Sequence, residues 1–95
     1  MNLSEFYRAS STLNPKLTLL ISKGKHFVPI TQLTIAEDSL LLDTKDQFSG
    51  GPATITLDQF LTRTSHLPLT TNLRTSNNHA LLFGFRIVNR SIVFY

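Results

Sequence analysis

The chain has no cysteine at all, which removes disulfides, thiolate nucleophiles and cysteine-bearing zinc sites from consideration. Charge is scarce as well. Charged residues make up 16% of the 95 positions against 41% hydrophobic ones, a balance that belongs to a globular chain rather than a disordered one. No long apolar run exists. The longest, over 80–85, falls far short of the roughly 20 residues a membrane span requires. The first residues carry neither a basic start nor an apolar stretch, so no secretory leader is expected and a reducing cytoplasm is the default location.

Catalytic and metal-binding signatures are missing in the same way. His26, His66 and His79 do not stand at ligand spacing and no carboxylate cluster accompanies them, whereas a structural zinc ion needs four convergent ligands. Asp43, Asp46 and Asp58 lack the glycine and spacing of a calcium loop. There is no Gly-x-Ser-x-Gly elbow. Ser49-Gly50-Gly51-Pro52 lacks the lysine and the helix of a phosphate loop. The expectation is a protein with no catalytic residue, no metal and no cofactor.

What is present is an apparent repetition. Asn2 and Glu5 stand three residues apart at the start of one segment, and Thr56 and Gln59 repeat that relation in another. Each pair has the grammar of a helix cap whose third residue reaches back. Apolar residues follow at helical spacing, Leu3, Phe6, Tyr7 and Leu13 against Leu57, Phe60, Leu61 and Leu67. Proline then stops both helices, at Asn14-Pro15 and Leu67-Pro68, because the residue before proline avoids the helical region.

Strands are expected over 16–22, 27–36 and 40–43, and again over 70–75, 80–88 and 91–95, with turns of Gly, Asn, Asp and Ser between them. Pro29 cannot donate a ladder hydrogen bond and marks an edge or a bulge. The fold class is therefore α+β: two pseudo-repeated helix-plus-three-strand (αβββ) units, 1–48 and 53–95, joined by a Ser-Gly-Gly-Pro linker at 49–52. The units are expected to form one antiparallel sheet with both short helices on one face, in a single domain spanning 1–95. Because 91–95 reads as a strand, Ile92, Val93 and Phe94 are expected in the core, and loss of 91–95 should unfold the domain.

The net charge of +3 is uneven. Up to Phe48 five cationic residues balance five anionic ones, while beyond it Arg63, Arg74, Arg86 and Arg90 face only Asp58. Lys23, Lys25 and His26 at the first hairpin turn, with Arg74 and His79 near its counterpart, form a candidate basic rim for phosphates or an acidic partner. The plain reading is a solvated hairpin tip, where lysine is ordinary. Arg86 and Arg90 beside the last hairpin either clamp an anionic group or pair with Glu37 and Asp38. Phe83-Gly84-Phe85 resembles a fragment of the aromatic strand of the RNA-recognition motif. Leu81-Leu82 and Arg86 depart from that pattern, and alternation places Leu81, Phe83, Phe85 and Ile87 in a core stripe.

The opening Met-Asn-Leu-Ser-Glu-Phe, the helix stop at Asn14-Pro15, the Gly24 turn and the segment Ile30-Thr31-Gln32-Leu33-Thr34-Ile35 resemble small phage- and prophage-encoded accessory proteins. That resemblance covers roughly the first 45 residues and implies a bacterial cytoplasmic accessory role with no catalytic residues. The leading functional expectation is a non-enzymatic protein that binds another protein or itself as a homodimer. The alternative is nucleic-acid binding through the basic hairpin tips.

Overall fold

A computed structural model describes residues 1–44 and 54–95, so the expected linker at 49–52 lies outside the described residues. Among those described, two helices and seven strands form two mixed sheets. The helices are α1 (Leu3–Ser10) and α2 (Leu57–Thr64); the strands are β1 (Thr18–Lys23), β2 (His26–Pro29), β3 (Gln32–Ile35), β4 (Ser39–Asp43), β5 (Asn72–Thr75), β6 (Phe85–Val88) and β7 (Ser91–Phe94). Neither helix is long and apolar enough to cross a membrane.

Local chemistry explains the element ends. Asn2 caps α1: its side chain accepts from Glu5 N, and the Glu5 carboxylate accepts from Asn2 N, both at 2.9 Å. At α2, Gln59 accepts from Thr56 N at 3.1 Å. The Thr56 hydroxyl turns instead to the Asp58 carboxylate, whose same oxygen also accepts from Gln59 N. Gly24, at φ +59°, takes the first central position of the two-residue turn between Lys23 and His26, where a left-handed backbone is needed. Asn89, at φ +55°, does the same between Val88 and Ser91. Asn is one of the few side chains that tolerate this region.

The sheet topology corrects the expectation of a single antiparallel sheet carrying both helices on one face. One sheet has the order β2-β1-β7-β6 and the other β3-β4-β5. Each contains a parallel pair, β1 with β7 and β4 with β5, so strands from the beginning and the end of the chain complete each other's sheets. The segment expected as one strand over 27–36 is divided between the two. Its first part, β2, pairs with β1, and its second, β3, pairs with β4. The change of partner falls after Pro29, where Ile30 N donates to Leu19 O and Thr31 N to Asp43 O, both at 2.9 Å. Pro29 itself lies on edge strand β2, where its missing N–H costs nothing.

The segment over 80–88 behaves likewise. Leu81 makes an isolated bridge to Arg74, Leu82 N donates to Leu73 O, Phe83 N donates to Tyr95 O, and regular pairing resumes at Phe85.

Cross-connections recur at matched positions. Leu3 N donates to Thr71 O, and 54 residues on Leu57 N donates to Leu17 O. Ser4 N to Leu69 O is matched by Asp58 N to Pro15 O. The bridges Asn2 to Asn72 and Thr18 to Thr56 stand in the same relation. Each helix start is thus tied to the strand entry that follows the other helix.

The core lies between the helices and the inner sheet faces. It includes Leu3, Phe6, Leu19, Ile30, Leu40, Leu57, Phe60, Leu73, Ile92 and Phe94, all at 1% exposure or less. Phe6 meets the rings of Phe60, Phe85 and Phe94. Val93 is also fully buried. Register directs it away from Ile92 and Phe94, to the opposite face of β7, and it is not part of the main core cluster.

Candidate functional site

Two hairpin ends and one irregular crossing meet at a cleft of about 300 Å³. Ile21 and Lys23 come from the end of β1, Asn77 from the turn after β5, Leu81 and Phe83 from the crossing into β6, and Tyr95 from the position after β7. The lining is mostly apolar, with Lys23 its single charged side chain. Phe83 is 76% exposed and Tyr95 55% exposed, an unusual display for large aromatic side chains.

The backbone accounts for that display. In regular alternation Phe83 belongs to the same face as Phe85, and the sequence places both in a core stripe. The chain instead leaves β-pairing between Leu82 and Phe85. Leu82 takes the buried place at 3% exposure, and Phe83 turns to solvent. This corrects the expected stripe, of which Ile87 is also 45% exposed at the sheet edge.

Gly84 lies against the Tyr95 ring: a Cβ built there sits 2.9 Å from the Tyr95 hydroxyl oxygen and 3.2 Å from Cζ. Backbone bonds between 83–84 and Tyr95 hold the two aromatic residues as a pair. In the sequence the only sign of this arrangement is the glycine between two phenylalanines.

The cationic residues singled out from the sequence do not converge on one site. Lys23 borders the cleft and its ammonium donates to the Thr44 hydroxyl at 3.4 Å. Lys25 and His26 lie on the adjoining turn and strand start, both exposed. Arg74 is half-buried on β5 and already engaged: Nε donates to the Ser39 hydroxyl at 3.2 Å and Nη1 to the His79 carbonyl at 3.0 Å. His79 itself adopts φ +55°, a turn position.

Arg86 extends from edge strand β6 to the ring of Phe27, 5.7 Å from its centroid, although β2 and β6 are opposite edges of the same sheet. Its guanidinium therefore reaches across the outer face of β7 and β1. Arg90 occupies the β6–β7 turn and shares a recess of about 350 Å³ with Asn14, Lys16 and Leu17.

The expected pairing of Arg86 and Arg90 with Glu37 and Asp38 does not form. Among the described residues the ion pair present is Lys16 with Asp58, at 3.6 Å and exposed. Asp58 is held below its ordinary carboxyl value, chiefly because the Thr56 hydroxyl donates to it; burial opposes this, and Gln59 N–H and the Lys16 ammonium add smaller lowering effects. Among the described residues no three His, Asp or Glu side chains gather as metal ligands would.

Comparisons with protein-family models, with curated proteins and with solved structures found no match.

Proposed function

We propose that this chain is a non-enzymatic accessory protein that acts by binding another protein, with the cleft beside Phe83 as its contact surface. The observation that carries this reading is the pair Phe83 and Tyr95, both largely exposed beside an apolar cleft edged by one lysine. Large aromatic side chains with apolar bodies are what protein interfaces concentrate at their centres, and a rigid ring loses little freedom on binding. The phage- and prophage-like opening supports placing it among bacterial cytoplasmic accessory proteins.

The test is affinity capture with wild type beside Phe83→Ser and Lys23→Glu. A stoichiometric protein recovered with wild type and lost with Phe83→Ser, at an unchanged melting temperature, supports the reading. No stoichiometric partner at all counts against it.

A second reading, nucleic-acid binding, draws support from Lys23, at the end of β1, and Asn77 and Asn78, in the turn after β5, lining one cleft. It involves Lys23, Lys25, His26 and His79, while Arg74 is occupied by Ser39 and His79. It predicts binding to short single strands that weakens steeply with salt, by nearly one power of salt concentration for each phosphate contacted. No band shift at low salt eliminates it.

We also read the chain as two αβββ units, 1–48 and 53–95. The matched bonds at a spacing of 54 residues support this, as do the paired crossings at Ile30-Thr31 and Leu82-Phe83. On that reading the units exchange their last hairpins.

A further inference from the structure

The β3–β4 turn and the β6–β7 turn occupy corresponding places, each beside the loop that follows a helix, and they carry opposite charge. Beside the first, Glu37 and Asp38 share a recess of about 220 Å³ with Leu67 and Pro68. Beside the second, Arg90 shares the recess already described with Lys16. Glu37, Asp38 and Arg90 make no ion pair with any described residue, and Lys16 is held only by its exposed contact to Asp58. A pair so exposed is weakly held.

Apolar surface accompanies both recesses. Ile35, at the rim of the acidic one, is 59% exposed, and Leu69, between two of its lining residues, is 54% exposed. Leu17 lines the basic one and is half-buried. Each recess therefore offers an aliphatic contact beside charges that are weakly paired or, among the described residues, without an ion pair, and the two signs complement each other.

We infer that a second copy of this chain is the occupant: the Lys16/Arg90 recess of one copy receives the Glu37/Asp38 turn of the next. The inference is independent of the cleft beside Phe83, which shares no residue with either recess. Because the contact joins two different patches, it builds a ring or an open chain of copies unless both contacts engage reciprocally in a dimer.

The test is sedimentation of the full chain over a range of concentrations, at low salt and near 1 M salt, where charges are screened beyond about 3 Å. Wild type is expected to form species larger than a monomer at low salt and to dissociate at high salt. Lys16→Glu/Arg90→Glu and Glu37→Lys/Asp38→Lys each place like charges across the contact, so each alone should associate more than about tenfold more weakly than wild type. An equimolar mixture of the two variants restores opposite charges and should recover association. Recovery also shows that both variants fold. A wild type that stays monomeric at low salt overturns the inference, as does association of either variant alone at wild-type strength. Melting curves and the salt dependence of wild type keep the test decisive if one variant folds poorly.

Discussion

Phe6 of α1 and Phe60 of α2 meet edge to face, their ring centroids 5.1 Å apart and their planes at 78°. They occupy the same place in their two helices, the fourth residue of each, and both are fully buried. Helices of eight residues are too short to persist alone. This contact, with Phe85 and Phe94 beneath it, gives both an apolar face to pack on. Phe60→Ala should therefore cost about 3–5 kcal/mol in denaturant unfolding, a large share of the roughly 5–15 kcal/mol available to a domain. A loss below about 1 kcal/mol would mean that the ring is not structural.

Removal of 91–95 takes away β7, the parallel partner of β1 and the hairpin partner of β6. It also removes Ile92, Val93 and Phe94, all fully buried. A cooperative thermal transition should disappear in the truncated chain. A melting curve like that of wild type would contradict the topology.

Arg86 reaching Phe27 links opposite edges of the four-stranded sheet. Exposed cation–π contacts contribute about 0.5–1 kcal/mol, and the aliphatic stem adds cover to an outer face that includes buried Val93. Arg86→Ala should lower stability by about 1 kcal/mol, with Arg86→Lys recovering part of the loss. A double-mutant cycle with Phe27→Leu should give a coupling near the cation–π value; zero coupling would dismiss the contact.

Asp58 gives an acid-limb prediction with a definite sign. Its folded pKa lies below its ordinary value, first because of the Thr56 hydroxyl. A depressed carboxylate contributes stability that is present above the unfolded pKa and is lost as pH falls through the folded one. Asp58→Asn should flatten that part of the stability-versus-pH curve, and Thr56→Val should flatten it less. An unchanged acid limb in Asp58→Asn would show that other carboxylates govern it.

Gly84→Ala places a methyl group within contact of the Tyr95 ring. Tyr95 is more than half exposed and can swing outward, so the expected stability loss is small, about 1 kcal/mol at most, near the low end for added bulk. The ring's fluorescence or its NMR shifts should change more than the melting temperature. In a Tyr95→Ala background the same substitution should be silent.

Much of this architecture was legible because it is local. The Asn2–Glu5 cap, the Gly24 turn and the edge position of Pro29 each follow from the preferences of a few neighbouring residues, whereas the helices end at Ser10 and Thr64, several residues before the prolines expected to stop them. The functional surface was less legible. Phe83 obeys the alternation of a core residue on paper, and Lys23 and Arg74 read as parts of one basic rim, with Arg86 and Arg90 as further cations beside the last hairpin. They separate in space because Lys23 borders a cleft, Arg74 is engaged on edge strand β5, Arg86 crosses an outer sheet face and Arg90 sits on the β6–β7 turn.

The sequence by itself determined where the helices begin, where the chain turns, and that two segments of alternating apolar residues would need a common core. Only the tertiary structure decided which strands pair. Backbone hydrogen bonds are the same for any partner, so no local signal distinguishes β1 beside β7 from β1 beside β3. That choice rests on burying Phe6, Phe60 and Phe94 together, which joins residues from both ends of the chain. Once made, it splits each long strand between two sheets and turns Phe83 to solvent.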